Sequence, residues 1–389
     1  MKKLFLKICL FTILIIFNIS FNTGTGEAVR TKSVNDTLKS LNNVLDKLTE
    51  ETFNELKVPG AIIGVYMGGY VPWIKTLGTG NLKDNKPIEP NDKMRIGSIT
   101  KTFTGTVLLQ LADEGKIKLQ DKLSKYFPDF PNGDSITIEQ AGNMTSGIFN
   151  YSEDEDFVKS FFRDMKQQFT PEELIQISLK HKPYFAPGKG FHYSNTNTVL
   201  LGLIIEKLTG NPLQTEIKNR IFIPLGMNES NFAVNTDFPD PHANGYIYLD
   251  STQTEPTDVT VLNPSWGWSA GAIISTLSDV EKYAKKLATG GLISAESQRE
   301  RIQWGTEMTA PSGPWKGTEM KYGFTIADFN GAIGHNGGIP GFNSFMGYYP
   351  EKDATIIVLV NMQDNKAGIG PADYIASVIL KKIKEMKTE

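Results

Sequence analysis

The stretch AIIGVYMGGYVPWIKTL, residues 61–77, decides the fold. Ala61 to Met67 is apolar enough for a buried strand, Gly68-Gly69 forms a hairpin turn, and Tyr70 to Leu77 is the returning strand. Its counterpart lies at the far end of the chain. There Asn343 to Tyr349 and Ala354 to Asn361 read as strands joined by the turn Pro350-Glu351-Lys352-Asp353. Ala372 to Lys387 is a closing helix with lysines in its last turns, where they suit the helix dipole. Between these ends the pattern is helical. Ser98 to Asp113 is a helix capped by Gly115, followed by Pro171 to Lys180 and by Thr198 to Leu208, which Gly210 closes. Pairing the first hairpin with the last strands gives an α/β plus all-α protein: an antiparallel sheet flanked by helices, with an inserted helical domain and a cleft between the two. Residues 29–95 and 318–389 are expected to form the sheet domain and 96–317 the mainly helical one.

The chain has 389 residues, 40 Lys+Arg against 43 Asp+Glu, 40% hydrophobic and 21% charged residues, a composition that excludes a disordered, collagen-like or coiled-coil chain. With no long basic run, there is no electrostatic footprint for nucleic acid. Lys2, Lys3 and Lys7 precede an apolar run from Ile8 to Phe17, too short to span a bilayer. Gly26-Glu27-Ala28 supplies small residues two apart, so residues 1–28 are expected to be a signal peptide, the protein secreted, and stable membrane insertion absent. The one cysteine, Cys9, lies in that segment, which excludes thiol chemistry from the mature chain. Downstream, Val34, Leu38, Leu41, Leu45 and Leu48 form one stripe of an amphipathic helix that Pro59-Gly60 breaks.

Most catalytic patterns are missing. His181, His192, His242 and His335 have no metal-ligand spacing, so no metal or cofactor is expected. There is no Gly-x-Ser-x-Gly elbow and no phosphate-binding loop. The acidic run Glu153-Asp154-Glu155-Asp156 reads as a solvated loop. Ser98-Ile99-Thr100-Lys101 differs, because it opens a helix. The Ser98 N–H is then among the unpaired first-turn donors, and Lys101, three residues on, can reach the Ser98 hydroxyl. Burial and neighbouring cations would lower the lysine pKa enough for it to take the serine proton. An N-cap serine beside a surface lysine gives the same four residues. Tyr193-Ser194-Asn195 places a phenol that can shuttle a proton and an amide, Asn195, that can hold both the lysine and a substrate carbonyl. A turn aromatic with a capping asparagine is the plainer alternative. His335-Asn336-Gly337-Gly338 lets a backbone approach a ligand lying along an edge strand, with the Gly338 N–H as second oxyanion donor. A glycine-rich hairpin with an incidental histidine is the alternative there.

Taken together and in this order, the three elements resemble the penicillin-recognising serine hydrolases: class C β-lactamases, DD-peptidases, and related esterases and D-amino-acid peptidases. The likeness runs through Val58-Pro59-Gly60-Ala61, Arg95 to Thr104, Asn143-Met144-Thr145-Ser146-Gly147 and Ile274 to Asp279. It implies Ser98 as acylated nucleophile, Lys101 and Tyr193 as proton-transfer partners, Asn195 on the substrate amide, and His335 where other members carry lysine. Trp266, just before Ser269-Ala270-Gly271, is similar to an aromatic lining the cleft of those enzymes.

The expected substrate is a D-amino-acid peptide, such as a peptidoglycan stem peptide, with β-lactams as candidate ligands. A β-lactamase, a short-chain esterase and a non-catalytic penicillin- or peptidoglycan-binding module are the rivals. No Lys-[Ser/Thr]-Gly occurs, Gly338 stands where the carboxypeptidases have a hydroxyl, and no Lys or Arg lies between Tyr322 and His335. Recognition of a free carboxylate normally uses such cations, and Lys321 is the nearest in sequence. The balance therefore tilts from strict carboxypeptidase toward D-peptides or esters without an obligatory carboxylate. His335 is expected to support the charge cluster at Lys101 and Tyr193, with activity falling in acid.

Overall fold

The computed structural model describes residues 41–250 and 252–386, so the expected signal peptide, Cys9 and the residues expected to start the first helix lie outside the described residues. Residues 45–389 form one compact unit. Its frame is a nine-stranded sheet in the order Lys86–Pro87, Trp73–Asn81, Gly60–Met67, Ala354–Val360, Phe342–Tyr349, Ala332–Ile339, Ala327–Phe329, Glu319–Tyr322, Thr306–Thr309. The described pairings in it are antiparallel, and the expected join of the two chain ends is made by Ala61 opposite Val360 and Met67 opposite Ala354. The returning strand starts later than expected, at Trp73, because Tyr70, Val71 and Pro72 belong to an exposed turn.

Ala354–Val360, sequence ATIIVLV, is buried at every position, whereas a sheet bare on one face would alternate. Helices Leu277–Thr289 and Pro371–Lys384 both pack on it. The first of these, and strand Thr306–Thr309, come from the stretch 96–317 expected to be mainly helical. Among the described residues, no helix is long and apolar enough to cross a membrane.

Helices Thr100–Asp113 and Asn195–Thr209 pack against each other and against the short helix Trp268–Gly271. Asn195–Thr209 ends at Gly210 with φ +71°, the left-handed cap expected for it. A second small sheet, Met94–Arg95, Ile273–Ser275 and Asn231–Phe232, leads the chain into the turn that carries Ser98.

That turn meets the large sheet backbone to backbone. Gly97 has φ +50°, and a Cβ there would lie 2.9 Å from the Gly338 nitrogen. A Cβ on Gly337 would lie 2.1 Å from the Ile96 carbonyl oxygen and 2.5 Å from Ser344 Oγ. Ser344 Oγ itself donates to that carbonyl at 2.8 Å. Two elements far apart in sequence thus touch where neither can carry a side chain. The expected edge strand is only half an edge. Ala332, Ile333 and Gly334 pair with Ala327–Phe329, while His335 to Ile339 pair on the Phe342–Tyr349 side alone.

This contact separates two adjacent glycines. Gly337→Ala forces a backbone clash and should cost about 1–3 kcal/mol, read as a lower urea midpoint. Gly338→Ala, with nothing within 4 Å of the new Cβ, should stay within about 0.5 kcal/mol of the parent. Equal midpoints for the two variants would refute the contact.

Candidate active site

Residues Gly97–Ile99 form one turn of 3-10 helix that hands the chain to Thr100–Asp113. Ser98 therefore sits in a first turn, where its N–H has no acceptor within the helix. Lys101 is fully buried on the next turn. Its Nζ lies 2.9 Å from Ser98 Oγ and donates to the Ala270 carbonyl oxygen at 2.9 Å. Among the described residues no carboxylate pairs with it. Burial pushes its pKa well below the ordinary lysine value. The cations invoked from the sequence play no part in that shift.

Tyr193 sits just before helix Asn195–Thr209, its ring centroid 4.9 Å from Lys101 Nζ. Its hydroxyl is enclosed without a hydrogen-bond partner. Burial raises its pKa, and nearby Ser98 pulls it partly back, although no hydrogen bond of normal geometry joins the two. Asn195 departs from expectation. Its backbone N–H donates to Asn150 Oδ1 at 3.0 Å and its Nδ2 to Ser152 Oγ at 2.9 Å. The lysine is held by the Ala270 carbonyl instead, and Asn195 lines the cleft.

His335 is buried, and its surroundings fix its tautomer. Nδ1 lies 2.6 Å from the Asn336 carbonyl oxygen, which can only accept, so Nδ1 carries the hydrogen. Nε2, 3.2 Å from Tyr322 Oη, then accepts from the phenol. Burial first, and the Lys101 charge second, lower the His335 pKa to about 3 against the pull of the Asn336 carbonyl. His335 is therefore neutral at working pH, so any support it gives the cluster comes through its hydrogen bonds.

Tyr322, which sequence reasoning passed over, stands edge-on to Tyr193 at 6.0 Å and to His335 at 5.8 Å. Strand alternation was the available signal. Lys321 points the other way, to Glu319 at 3.1 Å and Glu307 at 3.6 Å, so its neighbour Tyr322 points in.

The cleft is a space of about 240 Å³ bounded by Ser98, Tyr151, Asn195, Trp266, Gly338 and the turn at Gly267 to Gly271. No charged side chain lines it. Trp266 takes the expected place, its ring 5.1 Å from Phe161 and its carbonyl accepting from the Tyr151 hydroxyl. Tyr151 was not foreseen. Gly338 is exposed in the cleft, while Gly337 is buried behind it with its α-carbon against the Ile96 carbonyl. The acidic run is solvated at Glu153, Glu155 and Asp156, as expected, but it opens a helix rather than forming a loop. Glu153 accepts from Tyr184 at 2.6 Å and from Asn150 at 3.1 Å, and Asp154 caps helix Glu155–Arg163 while pairing with His181 at 2.7 Å.

Chemically, a lysine whose charged form is disfavoured by burial can accept the proton of an adjacent serine hydroxyl, and an orphaned phenol can relay one. The open Gly338 and the first-turn Ser98 lie where two N–H groups can face a developing oxyanion.

A family model described as Beta-lactamase matches residues 45–379. Among curated proteins, Penicillin-binding protein 4* of Bacillus subtilis is 27% identical over 318 residues, covering 77% of this chain and 67% of that protein. Protein flp of Staphylococcus aureus is 28% identical over 324 residues, and the match covers 82% of this chain but 62% of that longer protein. Among solved structures, a D-stereospecific amidohydrolase from Streptomyces sp. is 30% identical with a TM-score of 0.74, over 85% of this chain and 97% of that one. The D-amino acid amidase from Ochrobactrum anthropi SV3, complexed with L-phenylalanine amide, is 25% identical with a TM-score of 0.78, over 88% and 99%.

Two titrations check this electrostatic picture. The folded Lys101 pKa lies below its unfolded value, near 10.4. Between the two, the unfolded chain binds more protons, so stability rises with pH across that window. Lys101→Met should therefore exceed the parent in urea midpoint at neutral pH, with a gap that narrows toward pH 10; a constant gap would contradict the buried amine. His335, with its folded pKa depressed, contributes stability that is present above about pH 6.5 and lost as pH falls toward 3. Its imidazole NMR signals should not move between pH 5 and 8.

Proposed function

The chain belongs to the β-lactamase family, as a hydrolase fold related to penicillin-binding proteins and D-amino acid amidases, and we propose that it is a serine hydrolase forming an acyl-enzyme on Ser98 with D-amino-acid amides and peptides. The observation that carries this reading is the Lys101 amine, fully buried, without a carboxylate partner, 2.9 Å from Ser98 Oγ. A lysine whose ammonium form is disfavoured by burial at that distance is placed to take the serine proton.

In this reading Lys101 Nζ takes the hydroxyl proton as Ser98 Oγ bonds to the substrate carbonyl carbon. The carbonyl oxygen becomes an oxyanion between the N–H groups of Ser98 and Gly338. The Tyr193 hydroxyl, enclosed and unpaired, passes a proton from Lys101 to the departing amine as the C–N bond breaks. Water then attacks the ester with the same base, returning Ser98 Oγ–H. Asn195 offers its amide to the acyl-side carbonyl, Trp266 and Tyr151 wall the acyl group, and neutral His335 steadies Tyr322 behind Tyr193. Export through residues 1–28 would bring this site to cell-wall stem peptides.

The uncharged lining supports a neutral group on both sides of the scissile bond. It disfavours an enzyme that must hold a terminal carboxylate, and with it both a strict carboxypeptidase and an efficient β-lactamase. Esters of the same acyl group would fit equally well.

The test is a matched pair of amides, D- and L-phenylalanine amide. Turnover of the D form at least tenfold faster is expected, with loss of about 10³-fold or more in Ser98→Ala. Equal rates or preference for the L form would remove the stereochemical reading. A residual rate in Ser98→Ala close to that of the parent would remove the serine mechanism. Intact mass after benzylpenicillin, with the same variant as control, reports whether Ser98 acylates irrespective of chirality.

A further inference from the structure

The segment Asn143-Met144-Thr145-Ser146-Gly147 carries no group that the chemistry above uses, yet it contains a backbone anomaly. Met144 has φ +63° and is completely buried. That conformation is disfavoured for an L side chain and is ordinarily left to glycine or asparagine. A strained residue of this kind persists where its side chain does something a glycine could not.

The contacts show what that is. Met144 Sδ accepts from the Ser194 backbone N–H at 3.5 Å and from Asn197 Nδ2 at 3.4 Å. Its backbone carbonyl accepts from His192 N–H at 3.1 Å. One residue thus grips the chain on both sides of Tyr193. Ser194 and Asn197 are themselves buried, so their donors have no water to turn to. Ser146 Oγ completes the grip by donating to Asn197 Oδ1 at 2.6 Å. Asn197 therefore bridges two members of the segment and fixes the first turn of helix Asn195–Thr209.

We infer that Met144 is a positioning residue for Tyr193: its thioether, held in place by the left-handed backbone, sets the height of the Tyr193 ring over the Lys101 amine. The inference rests on the reading that Tyr193 and Lys101 move the Ser98 proton. A thioether is a weak, soft acceptor with long bonds. It satisfies the Ser194 N–H without drawing the loop toward residue 144, as a carboxylate would. Removing it leaves two buried donors unpaired, and the loop gains freedom to reach other acceptors. The Tyr193 ring would then shift from Lys101, and the pKa governing the acid limb of the rate would shift with it.

The experiment uses p-nitrophenyl acetate, whose acyl transfer to Ser98 does not depend on substrate chirality. Met144→Leu keeps the volume and removes the acceptor; Met144→Gln restores one as an amide oxygen. The expected result is a kcat about tenfold lower for Met144→Leu with KM within twofold, an acid limb of kcat/KM displaced by half a pH unit or more, and substantial recovery in Met144→Gln. A Met144→Leu protein with unchanged kcat and acid limb, whatever its thermal midpoint, overturns the inference. Should Met144→Leu not fold, Met144→Gln carries the test: a folded variant, judged by near-UV circular dichroism, that has lost more than tenfold in kcat overturns it. Tyr193→Phe and Ser98→Ala run alongside. If both keep the parent rate, it is the catalytic reading that fails.

Discussion

The site depends on a contact between two stretches of bare backbone. Ile96-Gly97 and Gly337-Gly338 lie far apart in sequence and meet backbone to backbone, with the two glycines contributing no side chain to the contact. The turn that holds Ser98 is thereby fixed relative to the strand that holds His335 and Gly338. The Ser344 hydroxyl spans the same gap to the Ile96 carbonyl. Glycine at these positions is a requirement of distance at Gly337, and of distance and left-handed φ at Gly97. A looser junction would leave two good half-sites that never meet in register.

Around this junction the protein buries charge-bearing groups and answers each with neutral partners. Lys101 is met by a carbonyl, a hydroxyl and an aromatic face. Arg95, three residues before Ser98, gives one guanidinium nitrogen to the carbonyls of Thr260 at 3.3 Å and Leu262 at 3.1 Å, with its charge 4.8 Å from the Phe238 ring centroid. Burial lowers its pKa to about 9, which leaves it charged at neutral pH and able to clamp that loop beside the nucleophile turn. Without carboxylates nearby, nothing stabilises the ammonium form of this lysine by pairing. An Asp or Glu in place of the Ala270 carbonyl would stabilise its ammonium form and raise its pKa.

How much of this was legible in the sequence follows from what each feature depends on. The two terminal strand pairs were readable because Ala61 to Met67 and Ala354 to Val360 are apolar runs bounded by turn residues, a local pattern. Ser98 and Lys101 were readable because three residues on a helix fix a distance. Tyr322 and Tyr151 were missed because each earns its place through neighbours far away in sequence, the first through His335 and the second through the Trp266 carbonyl. The neutrality of His335 was not legible for the same reason, since the burial that causes it is a property of the assembled core. Asn195 shows a further limit: an amide can be placed at a site from its motif, yet one of its two N–H donors is committed to Ser152 and none reaches Lys101.

The sheet also sets an order of events. Gly60–Met67 finds its inner partner, Ala354–Val360, only after nearly three hundred intervening residues. Pairings across such a separation carry a large loop-closure cost and form late. During synthesis the N-terminal hairpin therefore waits, with one edge unpaired, until the last strands have left the ribosome. The junction of Gly97 with Gly337 is equally long-range. A chain that stops before Gly337 cannot form this junction, and the Ser98 turn has no partner strand until that segment is made.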